Sequence, residues 1–440
     1  MRKATAPVLA DYAGVLRRAN GHIDTGAMIE RLRQLHVTSY AYLIWGWRYQ
    51  AKPYYDSDFD DFEKEFMPAA QQAGIEVWAY LPSPLEMSLH APPPCRGDYA
   101  CWGTELGRVG AKYSRLTTIV IDDFFSKPNT GKLTPNVVRE MRANAKGLRI
   151  YPIAYFTGTM QGLLQRDYTG VIDGIVFVNL NRTMADTNAY LPDQLAQVSR
   201  VLKEPVTALR LHVPASNELS RGEATSLEQS VHVGSGDYTV TFGEGDDLYG
   251  KSQGTSAVAG GDGTRMLQLL VNGHVCWEHD LNAPPAAGET PGFQRRSVRI
   301  DPTYVTAGKT ATVKFRVIAS ATSPVMPDID VSVYDVGGTN LAFRRGSPWL
   351  ERSPAASRWH AETATLDYHS PRIVMMVYGS RLSDGWAPDS RYVVQAVSWG
   401  HDRMREGQLD GVITYQLDKR NLGTGSTFAQ LASLYEQWGH

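Results

Sequence analysis

Eight short apolar runs, each followed by a segment of helical spacing, narrow the folds open to this chain more than any other feature of its sequence. Six runs fall in the first 205 residues, at 8–11, 37–45, 75–81, 117–122, 150–156 and 174–179, and two more lie at 373–378 and 412–417. Helical patterns include 25–35, 59–73, 102–113, 135–145, 192–202, 392–405 and 428–438, with apolar residues three and four apart, as in Met28, Ile29, Leu32 and Leu35. A strand that leads into a crossover helix returns as a parallel neighbour, so the repeat predicts a parallel sheet covered by helices. No run opens into a Gly-x-Gly-x-x-Gly turn, and eight units suit a closed (β/α)8 TIM-type barrel better than an open doubly wound sheet. The expected fold class is therefore α/β.

The rhythm breaks between the sixth and seventh units. From about 207 to 336 the chain is rich in Gly, Ser, Thr and Val and alternates with period two at 238–242, 267–271 and 311–317, the pattern of an antiparallel sandwich. We expect a barrel built from 1–205 and 340–440, with a jelly-roll-like sandwich at 206–339 inserted between barrel strands six and seven. A length of 440 residues accommodates both.

Charge and composition then exclude several classes of partner. The 44 Lys and Arg nearly cancel the 46 Asp and Glu, so no broad basic field exists to hold a phosphate backbone, and nucleic acid is not expected. No apolar run reaches the roughly 18 residues of a membrane helix, so no membrane partner is expected either. The start, Met1-Arg2-Lys3 followed by Ala and Pro, has no apolar signal core, which reads as a cytoplasmic protein, or a secreted or periplasmic one if a leader has been trimmed. Cys95, Cys101 and Cys276 lack the paired spacing of a zinc site, and no metal or other cofactor is expected. Cys95 and Cys101 are two free thiols on the plainer reading and a small disulfide loop in an oxidising compartment, and the sequence does not decide between them. The sequence says nothing of the oligomeric state.

In a barrel of this kind the active site gathers where the strands end and their loops begin. Those positions hold Asp11, Trp45 and Trp47, Tyr80 and Glu86, Asp122 and Asp123, Tyr155, Asn179 and Arg182, Tyr378 and Trp386, and Gln416. Carboxylates, amides and aromatics dominate. Nucleophile-elbow, zinc-protease and phosphate-loop motifs are missing, so acyl transfer, metal and phosphoryl chemistry lose ground. What remains suits a carbohydrate: aromatic faces for the sugar ring, amides and acids for its hydroxyls, and a carboxylic acid to protonate a glycosidic oxygen.

The strongest signal is the run 117–125, where an apolar fourth strand ends in Asp122-Asp123 and Phe124-Phe125. Two adjacent acids against low-dielectric walls resist joint ionisation, which supplies one acid and one base. Residues on a regular strand point to opposite faces, so both reach the pocket only if the backbone bends there. Asp123, Asp122 and Glu86 are the catalytic candidates. Asp11, Trp45, Trp47, Tyr80, Tyr155, Asn179, Arg182, Tyr378, Trp386 and Gln416 are the substrate-binding candidates. Several have a structural alternative. An Asp can cap a turn, Glu86 can be a loop acid, Asp11 can hold Arg17 or Arg18, Asn179 can bond its own loop, and the aromatics near Trp45 can pack the second loop.

The Ile-Asp-Asp-Phe strand end resembles glycoside hydrolase family 84, the O-GlcNAcase and hyaluronidase-like barrels. The resemblance implies that Asp122 polarises a substrate 2-acetamido group that attacks the anomeric carbon, and that Asp123 is the general acid/base. The third and fourth strands, with Val77-Trp-Ala-Tyr-Leu-Pro-Ser-Pro, are also similar to a broad group of bacterial barrel proteins. The insert, with Leu269-Leu-Val-Asn-Gly-His-Val-Cys-Trp-Glu, resembles jelly-roll modules attached to carbohydrate-active enzymes, which implies either glycan binding or a wedge that shapes the cleft. The expected function is hydrolysis of glycosidic bonds in an oligo- or polysaccharide by carboxylate acid/base catalysis. The alternatives are a non-catalytic sugar-binding barrel and a sugar-active isomerase, lyase or transferase.

Overall fold

Each of the eight apolar runs folds as a strand of one closed barrel. The computed structural model describes residues 7–45, 59–90, 92–126, 129, 131–156, 159, 162–163, 168–203, 206–213, 224–234, 238–246, 265–280, 294–319, 329–334, 341–342, 350–352, 360–366, 368, 371–380 and 385–438. The first six strands are β1 (Val8–Tyr12), β2 (Ser39–Leu43), β3 (Glu76–Leu81), β4 (Leu116–Ile121), β5 (Arg149–Ala154) and β6 (Gly174–Val178). Strands β7 to β17 lie between Val206 and Leu366, and β18 (Arg372–Tyr378) and β19 (Gly411–Tyr415) complete the barrel. Around it the order is β1-β19-β18-β6-β5-β4-β3-β2, with all neighbours parallel.

Alternation along the strands fills the interior. Val8, Ala10 and Tyr12 of β1, Trp78 and Tyr80 of β3, Tyr151 and Ile153 of β5, and Val374, Met376 and Tyr378 of β18 belong to one buried cluster. The residues between them face the surrounding helices. These are α1 (Thr25–Gln34), α2 (Met67–Ala73, entered through a π-helical stretch at Asp61–Phe66), α3 (Pro84–His90), α4 (Tyr99–Lys112), α5 (Pro135–Asn144), α6 (Met184–Lys203), α7 (Ser390–Arg405) and α8 (Thr427–Trp438). Side-chain caps start several of them, for example Asp24 on the Ala27 N–H and Asp389 on the Tyr392 N–H.

One local reading changes and one left open is decided. Pro192 suggested a helix start at 192, since proline favours the first turn, but α6 begins at Met184 and carries Pro192 inside it. Thr183 makes the earlier start: its Oγ1 accepts from the Asp186 N–H at 3.1 Å and donates to the Asp186 carboxylate at 2.7 Å. Cys95 and Cys101, left open between free thiols and a small loop, are joined by a disulfide in the turn that leads into α4.

The chain divides into two compact units, one made of 1–159, 168–204 and 368–440 and the other of the remaining residues. In the second, β8 (Ala224–Val233), β10 (Arg265–Val271), β11 (His274–Asp280) and β13 (Thr310–Ala319) pair in the order β11-β10-β13-β8, and β15 (Leu341–Ala342) and β16 (Leu350–Arg352) also join β8. A second sheet runs β12-β9-β14-β7-β17, from β12 (Gln294–Arg299) and β9 (Thr239–Asp246) through β14 (Ile329–Tyr334) and β7 (Val206–Val213) to β17 (His360–Leu366). Val240, Phe242 and Val298 from one sheet share a core with Leu227, Leu269 and Phe315 from the other. The unit is thus a two-sheet sandwich. Its strands continue past the expected end at 339 as far as Leu366.

Candidate active site

At the top of the barrel interior the last inward-facing positions are tyrosines. Tyr12, Tyr415 and Tyr378 stand in register on adjacent strands. Tyr12 stacks on Tyr80 with ring centroids 4.0 Å apart and lies 5.1 Å from Tyr415, which is 4.9 Å from Tyr378. Large rings at one level close the barrel beneath its mouth and leave an aromatic floor.

Asp122 follows β4 at the parity of Thr118 and Val120, so its carboxyl enters this mouth. The Tyr80 hydroxyl donates to it. Asp123 would face the opposite way on a regular strand, but its φ of 42° turns the chain sharply. Asp tolerates that left-handed conformation better than most residues because a short polar side chain bonds locally. The turn is tied on both sides: the Asp123 N–H donates to Asp122 Oδ1 at 2.9 Å, and the Asp123 carbonyl accepts from the Ser126 N–H at 3.0 Å, Ser126 Oγ at 2.8 Å and Asn129 Nδ2 at 3.0 Å. The bend required for both acids to reach one pocket is present. The Tyr155 hydroxyl donates to Asp123 and is itself paired with Tyr378.

Glu86 arrives from the third loop. It sits in the first turn of α3, where Ser83 and Glu86 form a reciprocal capping box: the Ser83 N–H donates to Glu86 Oε2 at 2.9 Å, and the Glu86 N–H to Ser83 Oγ at 3.4 Å. Glu86 therefore holds its own helix and also faces the pair. Burial pushes the Glu86 carboxyl above its ordinary range, and the Asp123 charge adds to this against the Ser83 hydrogen bonds. Burial likewise raises Asp123, opposed by the Tyr155 hydrogen bond. Asp122 is held well above the ordinary range by burial first and then by the charges of Asp123 and Glu86. Three carboxyls around one partly buried mouth do not all ionise together, so protons are retained there at pH values where exposed carboxyls have lost theirs.

The other expected binding residues divide. Trp386 stands 6.5 Å edge-on from Tyr378, with the Arg182 guanidinium 5.5 Å over its ring, which puts an aromatic face and a cation beside the tyrosine floor. Gln416, with φ of 55°, is buried and accepts from Ser380 Oγ at 3.4 Å. Tyr80 and Tyr378 are buried in the floor, where they hold Asp122 and Tyr155. Trp45 is packed into the barrel cluster with only 9% exposure, so its position is that of a core residue. Trp47 lies outside the described residues.

Asp11 and Asn179 are placed away from the acids. Each falls on the outward parity of its strand. Asp11 is completely buried, takes a hydrogen bond from Thr414 Oγ1 at 2.7 Å and forms an ion pair with buried Lys419, not with Arg17 or Arg18. Burial raises the Asp11 carboxyl against the pull of the lysine. Lys419 Nζ also donates to the Ala13 carbonyl at 2.7 Å, so the pair fastens the loops after β1 and β19. Asn179 accepts from the Asn181 N–H at 3.0 Å and donates to the Tyr392 hydroxyl at 3.3 Å, which closes the sixth loop.

Two contributors to the site have little or no sequence signal. Ser83 could have been found from its Ser-x-x-Glu spacing. Asn129, in a polar loop after β4, carries none, and neither does Lys419, the partner that takes Asp11 away from the site. Among the described residues no three His, Cys, Asp or Glu side chains converge to hold a metal ion, and no helix is long and apolar enough to cross a membrane.

No protein-family model matches the chain, and no curated protein matches it. Solved structures are similar over most of its length. A chitinase from Rhizomucor miehei is 9% identical, with a TM-score of 0.37, over 98% of this chain and 100% of its own. A plant class V chitinase mutant from Cycas revoluta, solved in complex with (GlcNAc)3, is 9% identical with a TM-score of 0.34 over 98% and 100%. The spore cortex-lytic enzyme SleL of Bacillus cereus is 8% identical with a TM-score of 0.36 over 98% and 75%.

Proposed function

We propose that the chain is a glycoside hydrolase that cleaves an oligo- or polysaccharide at the C-terminal mouth of its barrel. One observation carries the reading: Asp122, Asp123 and Glu86, from two separate loops, share a mouth above an aromatic floor, and all three are raised above the ordinary carboxylate range. The three carboxyls retain protons together; Asp123 gives its proton to the glycosidic oxygen as the C–O bond breaks, and the negative charge this leaves on the Asp122–Asp123 pair stabilises the developing positive charge on the ring. In the assisted form implied by the family 84 resemblance, the substrate acetamido oxygen attacks the anomeric carbon first. Water then attacks that carbon, and the Asp123 carboxylate takes the water's proton. Without an acetamido group, Glu86 is the second carboxylate. Trp386 and Arg182 would line the approach for sugar rings and hydroxyls.

The test is hydrolysis of a panel of natural glycans and their activated aryl glycosides, with the first product anomer followed by NMR. Asp123→Asn should lower turnover of natural substrate by about 10² to 10⁴, the usual worth of general acid/base help, and of aryl substrates by less, since their leaving groups need little protonation. Asn keeps the left-handed backbone, so the fold is preserved. Asp122→Asn should slow both substrate types alike. Near-normal turnover of natural substrate by Asp123→Asn would move the acid role to Glu86, and no cleavage of any glycoside by the unaltered protein would sink the reading.

A further inference from the structure

Asn129 is 1% exposed and uses every polar atom of its side chain. Its Nδ2 donates to the Asp123 carbonyl at 3.0 Å and to Ser126 Oγ at 2.6 Å, and its Oδ1 accepts from the Leu85 N–H at 2.9 Å. The two ends of this one amide therefore hold two different loops. The first is the bend at Asp123, whose positive φ persists only where its surroundings enforce it. The second is the first turn of α3, whose N–H groups have no partner within the helix. Ser83 satisfies one of those donors, its Oγ accepting from the Glu86 N–H at 3.4 Å, while its carbonyl takes the first intrahelical bond from the Met87 N–H at 2.8 Å. Leu85, the residue before Glu86, takes its acceptor from the β4 loop instead. A helix that needed only a cap could find one locally, as the Glu86 N–H does.

We propose that Asn129 is a positioning residue that fixes Glu86 relative to Asp123 by gripping the backbone of the two neighbouring loops after β3 and β4. Like charges held close push apart, so a site with three carboxyls needs its loops tied independently of those carboxyls. Asn129 touches none of the carboxyl oxygens; it acts through the Asp123 carbonyl and the Leu85 amide. The proposal rests on the acid/base reading of the same mouth, but its primary test needs no substrate.

The experiment is NMR titration of carboxyl-labelled Asp and Glu in the whole protein, with wild type, Asn129→Ala and Ser126→Ala compared. Freed from the grip, the Asp123 bend relaxes and its carboxyl turns from the mouth. The Asp123, Asp122 and Glu86 titrations should then move down towards ordinary carboxylates in Asn129→Ala. On any glycoside that the protein cleaves, kcat should fall roughly tenfold to a hundredfold, the scale of an ångström of misplacement, with KM within about threefold. The high-pH limb of activity should move to lower pH, because the acid loses its proton earlier. A folded Asn129→Ala protein whose three carboxyls titrate as in wild type overturns the proposal. Should Asn129→Ala not fold, Ser126→Ala decides. It removes one donor from the Asp123 carbonyl and the acceptor for Asn129 Nδ2, so a smaller shift in the same direction supports the proposal and an unmoved titration overturns it. Shifted titrations in a protein that cleaves no glycoside would leave the positioning role standing and remove only the hydrolase reading.

Discussion

Asp122 bears on stability as well as on chemistry, because its carboxyl lies deepest among three acids and is faced by the other two. A carboxyl whose folded value is raised above its unfolded value contributes stability that is full below the unfolded value and is lost as pH rises through the folded one. At neutral pH the cluster therefore weakens the fold, and replacing one raised carboxyl by a neutral amide relieves it. Asp122→Asn should raise unfolding free energy by about 1 kcal/mol at pH 7, the usual scale of relief at a strained functional site. That gain should vanish near pH 3, where wild-type Asp122 is already neutral. Denaturant titrations at the two pH values check this, and a loss of stability at pH 7 would refute it. The pair itself is legible in the sequence as two acids ending an apolar strand. The bend is not, since Asp is compatible with a left-handed residue without demanding one, and what enforces it here is a set of donors on the Asp123 carbonyl from Ser126 and Asn129.

The helices illustrate the same division between local pattern and contact. The apolar spacing of α4 predicts a helix, but nothing local says that its glycines meet a neighbour. A Cβ on Gly103 would stand 2.3 Å from the Met141 carbonyl, and one on Gly107 would stand 2.6 Å from the Asn144 carbonyl. Both carbonyls belong to α5, so the two glycines let the helix backbones approach closely. Gly107→Ala gains about 1 kcal/mol of helix propensity, but the clash is with backbone that cannot swing aside. The net effect should be a loss of about 1 to 3 kcal/mol, typical of overpacking. Calorimetry checks it, and an alanine variant as stable as wild type would show that the helices can separate at no cost. Pro192 makes the complementary point, because its local preference for a first turn is overridden by the Thr183 cap upstream.

The whole molecule consists of two units with separate cores, and the three carboxyls belong to the barrel unit alone. Phe315 is completely buried in the sandwich core, so Phe315→Ala should destabilise that unit by about 3 to 5 kcal/mol. Scanning calorimetry should then resolve an early transition for the sandwich while the barrel transition and any aryl-glycoside hydrolysis stay as in wild type. A single transition that moves as one, with loss of activity, would mean that the units fold together. The sequence alone determined the eight strand-and-helix units, their closure into a barrel, the all-β insert and the acids at the end of the fourth strand, because periodicity is a local property repeated often enough to read. Only the tertiary structure decided that Glu86 joins the aspartates, that Asp11 turns outward to Lys419, that Cys95 meets Cys101, and that the insert runs on to Leu366. Each of these depends on a partner remote along the chain or on one backbone angle, and neither periodicity nor composition carries that information.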